Sequence, residues 1–389
     1  MDRRTFLGLG LGAVAWPALG RAAPVRPERA RLRELGIVIG ELATGPHNAI
    51  TDVEGVEVGH VTLIEDGGPD FGEASTVSSA EPLSRVVRTG VTAIVPRTPA
   101  FAADFTLNGN GELMGVGSMR RTGLLAGPVL FTNTSSVGAV YDGAVEWMLA
   151  RDPDLFKSDL QPAPIVGETW AAFLHDEVGR HVQPAHAAAA LDAARGGPVA
   201  EGCVGGGTGM RAYSFKAGIG TASRKIPCGD QVYTVGVLVQ ANFGRRPQLR
   251  VDGVPVGREI TDMMPARGSK SKSMIAAVAT DAPLIPFQLQ RVCKRVALGM
   301  ARTGAISTHG SGDLVIAFST ASPEPPDALA MLSDRWISGV FQGVVEATEE
   351  AILNSLTTAH TMTGRGGNTI HALPLDRLVE IMRAYGRIK

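Results

Sequence analysis

The stretch ISTHGSGDLVIAFST, Ile306 to Thr320, constrains the fold more than any other. Leu314 to Phe318 is an unbroken apolar run, which is the pattern of a strand buried on both faces. Thr308 to Asp313 is turn chemistry. A core strand therefore starts at a serine held between two glycines. In most chains such a Gly-Ser-Gly is only a loop feeding a strand. One kind of chemistry, however, needs a serine at the head of a rigid strand.

That chemistry is self-cleavage followed by catalysis at the new N-terminus. If the Gly310–Ser311 bond is cut, Ser311 gains a free α-amine with a reference pKa of about 7.7–8.0. The amine can deprotonate its own hydroxyl near neutral pH, so base and nucleophile share one residue. The cut can be intramolecular, by attack of the Ser311 hydroxyl on the Gly310 carbonyl. Without a Cβ, Gly310 leaves that carbonyl open to approach.

The alternatives are poorly supported. The Gly-dense GCVGGGTGMRA segment contains Gly207, Gly209 and Ala212 in G-x-G-x-x-A spacing. No strand leads into it and no acidic residue follows in a βαβ frame, so a dinucleotide site is not expected. There is no P-loop and no G-x-S-x-G elbow. The eight histidines form no H-E-x-x-H, and His175 and His181 do not share a helical face. Neither a metal nor another cofactor is expected. The formal charge is −1, and pairs such as Arg245-Arg246 read as solvated loop charges. Nucleic-acid or membrane-surface binding is therefore not expected. Three cysteines, Cys203, Cys228 and Cys293, are too few for a disulfide framework and read as small buried residues.

The first 23 residues read as a leader. Arg3-Arg4, Phe6-Leu7, a short Gly/Ala/Leu run and small residues at Ala22-Ala23 resemble a twin-arginine export signal. Residues 24–389 are expected to form one catalytic domain in the periplasm.

Along the chain, Asn48 to Ile64 reads as a hairpin turning at Glu54-Gly55. Strands are expected at Val91–Val95, Gly127–Asn133, Ala163–Trp170, Ile219–Ile226, Val232–Gln240 and Met274–Thr280, besides the Ser311 strand. Helices are expected at Val137–Ala150, Pro184–Arg195, Pro286–Thr303, Trp336–Ser355 and Asp376–Arg383. Strands and helices mix without a strict βαβ rhythm, which indicates a layered α+β fold.

Ten segments together resemble the self-processing L-aminopeptidase/D-esterases and β-peptidyl aminopeptidases. They are NAITDVEGVEVGH, VRTGVTAIVPR, LNGNGELMG, TNTSSVGAVYDG, PIVGETW, GCVGGGTGM, GVLVQANFG, GSGDLVIAFST, VEATEEAILNSL and NTIHALPLDRL. They run in the family's order from Asn48 to Leu378. The resemblance implies a four-layer αββα sandwich of the N-terminal-nucleophile type. It also implies a precursor that splits into chains 24–310 and 311–389, whose pairs assemble into a homo-oligomer, typically a tetramer.

Residue by residue, the resemblance implies that Ser311 is the nucleophile and Gly310 the residue before the cut. Asn242 is the amide of the oxyanion hole and Glu168 the carboxylate for the substrate's free amine. Trp170 walls the substrate pocket. Thr348, where the resemblance implies Ser, and Glu350 assist the nucleophile. Thr348 shares a core stripe with Phe341, Val344, Val345, Ile352 and Leu356. Glu350, two positions on, joins the same site only if the helix starts or breaks nearby.

The expected activity is a serine aminopeptidase or amidase acting on short peptides, amides or esters with a free amine. An acyltransferase of the ornithine acetyltransferase kind and a nylon-oligomer-type amide hydrolase resemble the same fold. Both favour Thr over the Ser311 seen here, and the acyltransferases lack an export signal. A periplasmic binding protein holding a ligand in Gly-rich loops is the alternative from another class, and it would remain one uncut chain.

Overall fold

The computed structural model describes residues 29–67, 85–157, 162–265, 272–321 and 330–388; the leader lies outside them. The first strands are β1 (Val56–Asp66), β2 (Val86–Pro96), β3 (Ala100–Gly109), β4 (Leu113–Met114) and β5 (Leu124–Leu125). Then come β6 (Val129–Asn133), β7 (Ile165–Thr169), β8 (Arg211–Ala212), β9 (Phe215–Lys216) and β10 (Ile219–Cys228). The last are β11 (Gln231–Asn242), β12 (Ser273–Thr280), β13 (Gly312–Ser319), β14 (Met362–Thr363) and β15 (Thr369–Ile370). The helices are α1 (Val116–Thr122), α2 (Val137–Arg151), α3 (Pro184–Asp192), α4 (Val256–Glu259), α5 (Pro286–Arg302), α6 (Ile337–Thr357) and α7 (Leu375–Ala384).

Two large sheets stack between helices. One runs β1-β2-β6-β7-β4, the other β10-β11-β12-β13-β3-β5. Among the described residues, only β6 with β7 and β12 with β13 pair in parallel within them. The apolar run Leu314 to Phe318 explains the stacking. Leu314, Ile316 and Phe318 of β13 point between the sheets, where they join Ile275 and Ala277 of β12 and Val129, Phe131 and Ile165 of the facing sheet. Val315 and Ala317 point the other way, into the layer shared with Val292 and Val296 of α5 and Val344 and Ala351 of α6. A third layer packs Val91, Leu130 and Val166 against Val140 and Ala144 of α2 and Ala187 and Leu191 of α3. The order is helices, sheet, sheet, helices: the expected αββα sandwich. Each large apolar side chain buried this way contributes about 1.5–3 kcal/mol.

The expected helices all form, within a few residues of their anticipated ends. The hairpin at 48–64 does not. Its first half is a loop with a short 3-10 turn, Ile50–Asp52, and β1 pairs instead with β2. Polar side chains override the alternating pattern there. Asn48 accepts from the Ser223 amide at 2.9 Å, Asp52 accepts from the Ser223 hydroxyl at 2.6 Å, and the Ile50 amide donates to Thr221 at 2.8 Å. Within the segment, Asp52 also accepts from the His47 and Ala49 amides at 3.0 Å, and local side-chain bonds of that kind compete with strand pairing. A strand that the sequence reading missed, β3, runs antiparallel beside β13.

Arg246, expected in solvent, is 2% exposed. Its guanidinium donates to the carbonyls of Tyr213, Ser214, Ile260 and Asp262 and stacks on Phe215 at 3.3 Å. Backbone carbonyls take the place of the missing carboxylate, which is how a buried cation avoids an unpaired donor. Cys228 and Cys293 are buried and Cys203 is half-buried, all as free thiols.

Candidate active site

The glycines around Ser311 have separate causes. Gly310 has φ +78°, the left-handed region that favours glycine. Gly312 lies against the 109–111 backbone, and a Cβ on it would come within 2.4 Å of the Asn110 carbonyl oxygen. The chain thus turns sharply at Gly310 and enters β13 in close contact with the end of β3. A β-bulge in the β3–β13 pairing follows at once, between Asp313 and Leu314. Bulges of this kind re-aim side chains beside functional sites.

Ser311 sits between these glycines, 1% exposed. Its hydroxyl donates to Asp313 Oδ1 at 2.8 Å, and its amide donates to the Thr308 carbonyl at 2.9 Å. Asn110 donates from its backbone amide to the Ser311 carbonyl at 3.0 Å and from Nδ2 to the Gly310 carbonyl at 2.8 Å.

Gly310 opens onto a cleft of about 520 Å³ at the strand ends of the two sheets, lined also by Asn110, Glu168, Trp170, Lys272 and Ser273. Glu168 comes from the C-terminal end of β7, opposite Thr132 in the parallel strand β6. Thr134, just beyond β6, donates its hydroxyl to Glu168 Oε2, and the Glu112 amide donates to Oε1 at 3.2 Å. The residue is 4% exposed, and burial pushes its carboxyl above the ordinary value against the pull of those two hydrogen bonds; the charge of Glu177 adds to the rise. A buried carboxylate with lone pairs left over at a cleft wall can receive an ammonium group.

Trp170 follows with its side chain about half exposed and lining the same cleft. Its carbonyl accepts from Asn242 Nδ2 at 2.9 Å. Asn242, at the end of β11, lies opposite Ser273, whose hydroxyl accepts from the Gly312 amide at 3.3 Å. Ser311, Gly310, Glu168, Trp170 and Asn242 are therefore gathered around one end of the two sheets. Behind them, Glu177 accepts from the Ala171 amide at 2.8 Å and from Asn133 and Ser135, which fixes the Trp170 turn against the Thr134 turn. The HDEVGRH segment serves this support. His175 accepts from the Arg88 amide at 3.1 Å and His181 pairs with Asp176 at 3.0 Å.

Among the described residues neither Thr348 nor Glu350 hydrogen-bonds to Ser311, and the partners of Glu350 lie elsewhere. Helix α6 is unbroken through both. The Glu350 carboxylate accepts from Arg224 at 2.6 Å, from Arg33 at 2.7 and 2.9 Å and from Asn48 at 2.6 Å. Burial alone would raise its pKa, but those hydrogen bonds and positive charges lower it. Register shows how far away this is. Arg224 lies opposite Val235, Val235 opposite Thr280, and Thr280 opposite Ser319. Arg224 is thus in a strand three places across the sheet from β13 and level with its far end, so the carboxylate it holds is not beside Ser311. Thr348 faces α5, with its Cβ against Gly299, and its buried hydroxyl has no hydrogen-bond partner among the described residues.

Asn110, Thr134 and Asp313 were missed as site residues. Each stands in a segment that carried the resemblance, LNGNGELMG, TNTSSVGAVYDG and GSGDLVIAFST, but none has a spacing that marks it as chemical. Among the described residues no group of three or more His, Cys, Asp or Glu side chains could hold a metal ion. No helix there is long and apolar enough to cross a membrane.

The chain is similar to several known proteins. The model of Peptidase family S58 matches residues 48–370. The β-peptidyl aminopeptidase BapA of Sphingosinicella microcystinivorans is 41% identical, over 94% of this chain and 95% of that protein. Among solved structures, a β-aminopeptidase from a Burkholderia species is 40% identical with a TM-score of 0.81, covering 92% of this chain and 99% of that one. The L-aminopeptidase D-Ala-esterase/amidase from Ochrobactrum anthropi is 39% identical with a TM-score of 0.84 and the same coverage. It is described as a prototype of the serine aminopeptidases and a variant of the Ntn hydrolase fold.

Proposed function

The chain belongs to peptidase family S58 and is an aminopeptidase with the Ntn hydrolase fold of its solved relatives; on that premise we propose that it cuts itself between Gly310 and Ser311. It then releases N-terminal residues from short peptides, amides or esters through an acyl-enzyme on Ser311. The observation that carries this reading is the shared cleft. Gly310, whose carbonyl leads to the Ser311 nitrogen, and Glu168, a buried carboxylate, line the same 520 Å³ space.

In the intact chain the Ser311 hydroxyl is buried and its nitrogen is an amide. The cut frees the amine and ends the large chain at Gly310, on the cleft wall. The amine takes the hydroxyl proton, and Oγ attacks the substrate carbonyl. Asn242 Nδ2 uses one proton on the Trp170 carbonyl and keeps a second for the developing oxyanion. The leaving group departs with a proton, and water then hydrolyses the acyl-enzyme. Glu168 holds the substrate's free amine, so the substrate class is defined by that amine.

Activity is expected to rise with pH, because the base must be unprotonated. The midpoint should lie near or somewhat below the free-amine reference of about 7.7–8.0. Glu168 must also be ionised to hold an ammonium, so its raised pKa acts in the same direction on the acid side. Acetylating the new N-terminus abolishes turnover in this reading. Full activity after acetylation would show that another group is the base.

We further assign the leader to twin-arginine export into the periplasm, on Arg3-Arg4 and the apolar run after them. With Arg3→Lys and Arg4→Lys together, the protein is expected to stay in the cytoplasm. Undiminished periplasmic delivery would show that the leader is read by a different route.

A further inference from the structure

We propose that the intact chain carries its own base and oxyanion donor for maturation: Asp313 takes the Ser311 hydroxyl proton, and Asn110 Nδ2 holds the Gly310 carbonyl oxygen. This rests on the self-cleavage reading above and assigns residues to a step which that reading leaves without a base.

The need is chemical. The α-amine that serves the mature enzyme does not exist before the cut. In the intact chain the Ser311 nitrogen is a peptide amide, bonded to the Thr308 carbonyl at 2.9 Å. It has no basic lone pair, so some other group must take the hydroxyl proton. Asp313 Oδ1 is the acceptor at 2.8 Å. Its other oxygen, Oδ2, accepts from the Ser307 hydroxyl. Two hydroxyl donors aimed at one carboxyl favour its ionised, proton-accepting form. The group is 2% exposed and set in β13, opposite Met274 of β12 and Asn108 of β3, so its position is rigid. Burial raises its pKa against the hydrogen bonds of Ser307, Ser311 and the Met274 backbone, which makes it a better base than a surface aspartate.

The carbonyl under attack has its own partner. Asn110 Nδ2 donates to the Gly310 oxygen at 2.8 Å, while the Asn110 backbone amide donates to the Ser311 oxygen at 3.0 Å. One residue thus grips the carbonyls on both sides of the scissile bond. Asn242, the amide expected for turnover, is engaged with Trp170 instead. The two asparagines divide the work: Asn110 serves maturation and Asn242 serves catalysis.

Ser311 Oγ bonds to the Gly310 carbonyl carbon and its proton passes to Asp313. The carbonyl π pair moves to oxygen and is held by Asn110. On collapse the C–N bond breaks, and the Ser311 nitrogen takes the proton from Asp313. An ester now joins Gly310 to Ser311 Oγ, beside a free α-amine. One water hydrolyses it, leaving the Gly310 carboxylate and the Ser311 hydroxyl. The Lys272 ammonium already lies against Gly310, within 2.9 Å of where a Cβ would sit, and stands ready for that carboxylate.

The test compares the full-length parent with Asp313→Asn and Asn110→Asp, following the uncut fraction on denaturing gels from the moment of purification. Asp313→Asn is expected to slow cutting about 10²–10⁴-fold and Asn110→Asp about 10²–10³-fold. Hydroxylamine, which cleaves esters, is expected to give no acceleration in Asp313→Asn, because the ester never forms. Hydroxylamine-sensitive accumulation of ester in that variant would overturn the role of Asp313, since the shift would have occurred without it. Parent-like cutting in both variants also overturns the assignment while leaving self-cleavage intact. A parent that itself stays uncut overturns the self-cleavage reading. Should Asp313→Asn fail to fold, judged by its gel-filtration volume against the parent, Asn110→Asp decides. It keeps the side chain's size, replaces the donor with an acceptor and adds a negative charge beside the Gly310 oxygen, changes that all oppose a developing oxyanion, so parent-like cutting overturns the proposal.

Discussion

Ser311→Ala is expected to yield one uncut chain that is folded and inactive. The substitution removes the nucleophile of both reactions, and loss of an activated serine costs on the order of 10⁶ in kcat. The fold should survive. Only one side-chain hydrogen bond is lost, worth about 1 kcal/mol, and Asp313 keeps the Ser307 hydroxyl as a donor. The strand itself is held by its pairing with β12 and β3, in which the Ser311 side chain has no part. A gel should show the full-length mature chain eluting from gel filtration as a folded protein, with no hydrolysis of an alanine anilide. Normal cutting in this variant would point to an outside protease.

Glu168→Gln is expected to separate the two reactions that Ser311→Ala abolishes together. Self-cleavage involves no substrate amine, so the variant should cut at the parent's rate. Turnover of free-amine substrates should fall. A charge-assisted contact in a partly desolvated cleft contributes about 1.5–3 kcal/mol, or about ten- to a hundredfold in kcat/KM. The amide keeps an oxygen for the Thr134 hydroxyl or the Glu112 amide, so the pocket's shape should hold. Two results contradict this role. One is an alanine anilide hydrolysed as fast as by the parent. The other is an N-acetylated substrate that the parent accepts as readily as the free amine.

The parts of this site that were legible in the sequence share one property: their neighbours in the chain reveal them. Gly310-Ser311 stands out because turn chemistry meets a run buried on both faces, and the stacked sheets supply both faces. Glu168 and Trp170 were legible through the family resemblance that PIVGETW carries, and both line the cleft at the end of a short apolar strand. The helices were legible for the same local reason, and β13 correctly implied layers on each side.

What was not legible depends on contacts distant in sequence. Asn110 touches Gly310 across 200 positions, and only the pairing of β3 with β13 brings them together. Thr134 meets Glu168 because β6 and β7 run parallel. Glu350 looked catalytic beside Thr348, yet Arg33 and Arg224, both more than 100 positions away, claim it for a buried ion cluster. Arg246 looked solvated because its partners are carbonyls, which leave no mark on a side-chain pattern. The hairpin reading failed for a related reason. Alternation at 48–64 was real, but Asn48 and Asp52 bind Ser223 of β10 and hold their segment as a turn.

The purified wild-type protein, denatured and read by intact mass and N-terminal sequencing, is the decisive sample. Two chains are expected. The smaller should contain the 79 residues from Ser311 to Lys389 and begin Ser-Gly-Asp-Leu, and the larger should end at Gly310. A single uncut mature chain that still hydrolyses an alanine anilide would contradict an N-terminal serine as nucleophile and base.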